Sequence, residues 1–237
     1  MEIIDHSPYP MQDGKISFMD RVRGTLDYGL GWYGERQAQE AVIASMGKLL
    51  SNKFVVLHNF SIPDVDVAIP IILVGPSGVQ VMYTTSLGGV YRAKADTWMV
   101  QESGRGFKNA RPNLLTRAQL MGRSLDIFLK RNGINVDTQA TLVCASADMF
   151  VESVRPIVRI ILSDAIEKFV SSQVQLKETL NDAAVRQVVD VLVNPVKSPE
   201  ESQPDEAAAK KLPIIATGCS MFEAGSRISG NLPDGMR

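Results

Sequence analysis

Residues 69–89 read IPIILVGPSGVQVMYTTSLGG, two apolar runs around a GPSG turn with a polar patch, Tyr83-Thr84-Thr85-Ser86, closing the second run. That is the outline of a hairpin built to carry an active site, yet it holds no carboxylate, no lysine and no histidine. Upstream, Asp64 and Asp66 stand in SIPDVD, and Glu35 stands in GWYGE. Clustered carboxylates could hold a divalent cation through hard oxygen ligands and activate a water. Glu35 also fits a plainer role, an acid in the first turn of a helix that complements its dipole.

Other chemistries lack parts. Ser77 sits in GPSG, which is not the Gly-x-Ser-x-Gly elbow of a hydrolase. The two histidines, His6 and His58, have no metal-ligand spacing, and nothing places either beside a nucleophile. Cys144 lies in an apolar run, TLVCAS, and reads as a buried thiol; it and Cys219 suggest neither a disulfide framework nor a zinc site. Seven cations, Arg92, Lys94, Arg105, Lys108, Arg111, Arg117 and Arg123, fall within about thirty residues, with Trp98 and Phe107 among them. They read either as a surface tracking phosphates or as a solvated charged face. The GRGFKNAR loop is the better part of the functional reading. It has no Gly-Lys-Ser/Thr and is not a Walker A loop.

The elements that would position these residues follow from periodicity. Residues 16–50 turn helical, with Ala38, Val42, Ile43, Met46, Leu49 and Leu50 at spacings of three and four. FVVLHNF and VAIPIILV read as strands, the second demoted to an edge or a bulge by Pro70. With a GPSG loop, Val74 pairs Val79, Ile72 pairs Val81 and Pro70 faces Tyr83, so Pro70, Tyr83 and Thr85 share a face. GVYRAKADTWMVQ alternates, GRGFKNARPN is a loop, and residues 114–131 form an amphipathic helix ended by Asn132-Gly133. A strand through TLVCAS, a second through VRPIVRII, a helix capped by Ser163 and a short helix from Asp182 follow. The order predicts an α/β fold with a central mixed sheet flanked by helices on both sides.

The landmarks GWYGE, LHNFSIP, VGPSGV, the following Gly88-Gly89 and the tryptophan of DTWMV stand in the order of a known family; PNLL is a weaker one. From about Gly31 to Gly133 the chain resembles the nuclease-related (NERD) domain, a branch of the PD-(D/E)XK nuclease superfamily. The resemblance implies a restriction-endonuclease-like fold. It also implies that an Asp would stand at Pro70, a Glu at Tyr83 and a Lys at Thr85, with Glu35 matching the family's helix acid. All three hairpin positions are substituted. The resemblance therefore points to a catalytically inactive pseudo-nuclease with no cofactor, kept as a nucleic-acid-binding or scaffold module. One alternative is a Mg²⁺-dependent nuclease with a relocated site at Glu35, Asp64 and Asp66. On an extended strand Asp66 would lie roughly 13 Å from position 70. The other is a protein-interaction module without nucleic acid, using the helices of residues 163–193.

The whole chain frames these readings. It has 237 residues, a formal net charge of −1 and 45% hydrophobic residues. Bulk charge thus gives no support to nucleic-acid binding, which would need a local patch. No secretory signal or membrane span is expected, and the reading is a cytoplasmic protein. The expected organisation is an N-terminal extension over 1–15, an α/β domain over 16–195, a charged linker over 196–211 and a C-terminal tail over 212–237.

Overall fold

The computed structural model describes residues 1–9, 16–29, 31–63, 68–102 and 106–194. The fold is α/β, with mixed sheets flanked by helices, as the element order predicts. The first sheet runs in the order β1 (Glu2–Asp5), β2 (Val55–Ser61), β3 (Ala68–Gly75), β4 (Gly78–Thr85), β8 (Thr138–Cys144) and β10 (Arg159–Leu162). The second runs β7 (Gly106–Asn109), β6 (Thr97–Glu102), β5 (Gly89–Lys94) and β9 (Met149–Val154).

The first sheet is buried on both faces, which is why β3 and β4 read as near-continuous apolar runs. A helix α1 (Phe18–Tyr28) precedes α2 (Trp32–Leu49), and on one face Val42, Ile43 and Met46 of α2 and Phe169 and Val170 of α4 (Ile166–Gln175) meet Val56, Ile71, Leu73 and Met82. On the other, Leu125, Phe128 and Leu129 of α3 (Leu114–Arg131) join Val185, Val188 and Leu192 of α5 (Asp182–Val193) against Leu57, Ile72, Val74 and Val81. Each such side chain contributes about 1.5–3 kcal/mol by leaving water. The N-terminal part of α3 has a second duty. Its Leu114, Leu115 and Ala118 pack against Tyr91, Ala93 and Trp98 on the inner face of the second sheet. Asn113 caps this helix by accepting from the Leu115 and Thr116 N–H groups, and its own amide donates to the Asp96 carbonyl.

The hairpin register is as predicted: Val74 pairs Val79 and Ile72 pairs Val81, with Gly75 opposite Gly78, so Pro76-Ser77 alone make the loop. Gly78 has a φ of 119°, which a side chain would resist. Pro70 is not on an edge, because β3 lies between β2 and β4. The ladder yields to it instead. Asn59 opposite takes a φ of 53° and drops out of an otherwise continuous register with β2, and pairing with β4 stops at Ile71–Met82. A proline has no N–H to offer either neighbour.

Four other expectations change. Residues 2–5, left without an element by the sequence pattern, form β1, a parallel strand on β2. GRGFKNARPN is not all loop, since Gly106–Asn109 pair with β6. Ser163 does not cap α4; it opens a 3₁₀ turn, Ser163–Ala165, whose start has no side-chain cap. The strand β9, MFVESV, shows no clear apolar–polar alternation to announce itself, and it is held parallel to β5. The Asp64 and Asp66 positions, Arg105, and the linker and tail from 195 on lie outside the described residues.

Candidate functional site

The start of α2 brings Glu35 to the end of β4. Gly34 permits the approach, since a Cβ there would lie 3.1 Å from Ser86 Oγ. Glu35 Oε1 accepts from the Thr85 hydroxyl at 3.4 Å and from the Ser86 N–H and hydroxyl at 3.3 Å each. Burial raises the Glu35 carboxyl above its ordinary value, and these hydrogen bonds and the Arg117 charge offset only part of that. Tyr83, two residues back on the same strand, accepts from Arg117 Nη1 at 3.3 Å through its hydroxyl. Beside Glu35 opens a cleft of about 260 Å³, whose walls include His6, Tyr9, Trp32, Glu35, Arg36 and Pro70. The structure thus gathers Glu35, Thr85 and Pro70 about one corner of the molecule, with Tyr83 two residues before Thr85 on the same strand.

Behind the cleft lies a polar network with no counterpart in the sequence reading. Arg36, 3% exposed, donates from Nη2 to Asp5 at 3.2 Å and pairs with Glu40 at 2.9 Å. Its Nη1 donates to the Ser7 hydroxyl and lies 3.2 Å from His58 Nδ1, while His58 Nε2 meets Gln39 Oε1 at 2.8 Å. Arg36 Nη1 is as close to His58 Nε2, at 3.1 Å, and His58 Nδ1 also faces Asp5 Oδ1 at 3.3 Å, so the imidazole is enclosed by polar groups on both ring nitrogens. Burial, then the Arg36 charge, lowers the His58 pKa to about 4 against the opposing pull of Asp5. Burial raises the Glu40 carboxyl, with Arg36 opposing and Asp5 adding to the rise. Burial would raise Asp5 too, but hydrogen bonds from the Ser7 side chain and backbone, with the Arg36 and His58 charges, carry it below its ordinary value. A β-branched and aromatic run with one histidine, FVVLHNF, gives no sign that its partner is an arginine on a helix. The Arg36/Glu40 spacing of four was the only legible trace.

The basic segment is divided. Arg92 pairs with Glu152 at 2.7 Å, and its guanidinium carbon lies over the Phe107 ring, 4.0 Å from its centre. Lys108 pairs with Glu102 across the β6–β7 hairpin. Lys94, Arg111 and Arg123 are exposed and have no ion pair among the described residues. Arg117 and Arg123 stand on α3, Arg92 and Lys94 on β5, so the run of sequence becomes two surfaces. Among the described residues no group of three His, Cys, Asp or Glu side chains is arranged to hold a metal ion. No described helix is long and apolar enough to cross a membrane.

Comparison with known proteins agrees with the hairpin and the helix that faces it. No curated protein and no solved structure matches the chain. The family model of the nuclease-related domain matches residues 30–154, which run from just before α2 to the end of β9 and include Glu35, the whole hairpin and the second sheet. More than half of the sequence is covered, and the chain belongs to the nuclease-related domain (NERD) family.

Proposed function

We propose that this member of the family is catalytically inactive and serves as a nucleic-acid-binding module. The observation that carries the reading is the chemistry of three hairpin positions. Pro70, Tyr83 and Thr85 stand where the resemblance puts two carboxylates and a lysine. Mg²⁺ needs several hard oxygen ligands in near-octahedral geometry. Proline supplies none, threonine brings no charge, and a tyrosine with an unperturbed pKa near 10 keeps its proton at neutral pH. Glu35 is the remaining carboxylate, and its Oε1 is occupied by three donors. This donor set does not fit the divalent cation of a phosphodiesterase, and no hydrolytic step is derived from it.

Nucleic acid is the favoured partner because the exposed cations Lys94, Arg111, Arg117 and Arg123 form no ion pair among the described residues, in a chain whose net charge is close to zero. Phosphate contacts release counterions, so affinity falls steeply with salt. Titrating labelled DNA and RNA with the whole chain at rising salt tests this. The expected result is a log–log slope of about −1.4 to −3.6, as two to four neutralised phosphates give on a single strand or a duplex. A flat response, or no binding by the folded chain, would refute it and favour a protein-interaction module.

A further inference from the structure

Resting on the nucleic-acid reading above, we propose that the outward face of the second sheet is a stacking platform for the unpaired bases of a single strand. The pairing register sets out that face. Val90 lies opposite Phe150, Arg92 opposite Glu152 and Lys94 opposite Val154, while Gln101 lies opposite Phe107 on the far side. Side chains alternate along a strand, so these residues project together, away from Tyr91, Ala93 and Trp98, which face the core. Carried one residue past its last recorded pair, the β5–β6 register sets Val90 beside Gln101. Phe150, Val90, Gln101 and Phe107 then form one row across all four strands. Its two phenylalanines stand about 14 Å apart, three strand spacings.

The face is apolar where a soluble sheet is ordinarily polar. Phe150 is 61% exposed and Val154 46% exposed. The apolar residues are interleaved with cationic surface, because the Arg92 guanidinium sits over the Phe107 ring, and a guanidinium held against a ring extends the area a base can cover. At one end of the sheet, around the Ala95-Asp96 turn, three exposed cations gather in the fold: Lys94 closing β5, Arg155 just past β9, and Arg111, two residues before the Asn113 that bonds Asp96. None has an ion pair among the described residues, and the acids on this surface are Glu152, held by Arg92, and Asp96. That charge balance matches a polyanion. The aromatic row matches bases that are not already stacked on one another, as they are in a duplex.

The test is fluorescence anisotropy of labelled oligo-dT, oligo-U and a dT·dA duplex with the whole chain. Wild type is expected to prefer either single strand to the duplex. Phe150→Ala is expected to weaken single-strand binding about tenfold without changing its salt slope or the melting temperature, and Phe150→Tyr to restore it. Lys94→Ala with Arg155→Ala is expected to flatten the slope by about 1.4, two phosphates on a single strand. Nucleic-acid binding that ignores Phe150 and depends on Arg117 and Arg123 would overturn the platform while leaving the function standing. No binding to any polymer would overturn both. Self-association abolished by Phe150→Ala would assign the face to a second copy of the chain and overturn the platform.

Discussion

Glu35 and His58 show what single residues contribute. Glu35 keeps a charge in a half-buried place that raises its pKa, so its neutral isostere removes a desolvation cost while retaining the oxygen that Thr85 and Ser86 address. Glu35→Gln is therefore expected to leave the melting temperature unchanged or higher at pH 7.5. A clear loss in a thermal melt would mean that the carboxylate itself is needed. His58 gives the opposite dependence on acid. Its folded pKa of about 4 lies below the unfolded value near 6.5. Between them the unfolded chain holds a proton that the folded chain lacks, so stability falls with pH through that window, by up to roughly 3 kcal/mol. Asp5, depressed, loses its contribution as pH falls further; Glu35 and Glu40, raised, gain as they protonate and partly offset both. Melting wild type and His58→Gln from pH 7 to 4.5 should show a steeper decline for wild type, and parallel curves would refute the assignment. Little of the cluster was legible beforehand. A buried Arg–His–carboxylate cluster is assembled from β1, α2 and β2, and apart from the Arg36/Glu40 spacing of four, its links between Arg36, His58 and Asp5 span 22 to 53 residues and leave no local pattern.

At the scale of elements, α3 decides whether the two sheets share a core. Its Gly122 faces β8, where a Cβ would come within 2.8 Å of the Ala140 Cβ. Alanine favours a helix over glycine by about 1 kcal/mol, yet overpacking a close contact costs about 1–3 kcal/mol, so Gly122→Ala is expected to lower stability. Adding Ala140→Gly should recover part of that loss by removing the clash. Denaturant melts giving strictly additive effects would contradict this close packing. At the N-terminus of the same helix, Asn113→Ala removes both the cap and the tie to Asp96 and should cost about 1–2 kcal/mol. The sequence made α3 plain because an apolar stripe and an Asn-Gly stop coincide, and it made the β3–β4 register plain because two valines flank a tight turn. It hid β9, whose residues 149–154 (MFVESV) alternate only weakly, and it misplaced Pro70, because a proline in a central strand is tolerated only when the partner backbone drops out.

For the whole molecule, the three apolar clusters, among the described residues, draw on the chain from the Ile4 side chain through to Leu192 of α5. A chain ending at Val196 is expected to melt within a degree or two of the full chain, and a large loss would show that the remaining residues belong to the fold. The family's fold was legible from spaced landmarks, GWYGE upstream of VGPSGV, because the glycines mark where backbone must approach or turn. The division of the basic run between β5 and α3 was not, because it depends on β5 leaving the first sheet to begin a second. The central claim is that this fold has kept its frame and lost its hydrolytic chemistry. Incubating the folded chain with mixed single- and double-stranded DNA and RNA in Mg²⁺ or Mn²⁺, beside a Glu35→Ala/Asp64→Ala/Asp66→Ala variant, tests it most directly. The account expects no cleavage by either protein under any metal; metal-dependent cutting by wild type that disappears in the variant would contradict it and establish a relocated nuclease site.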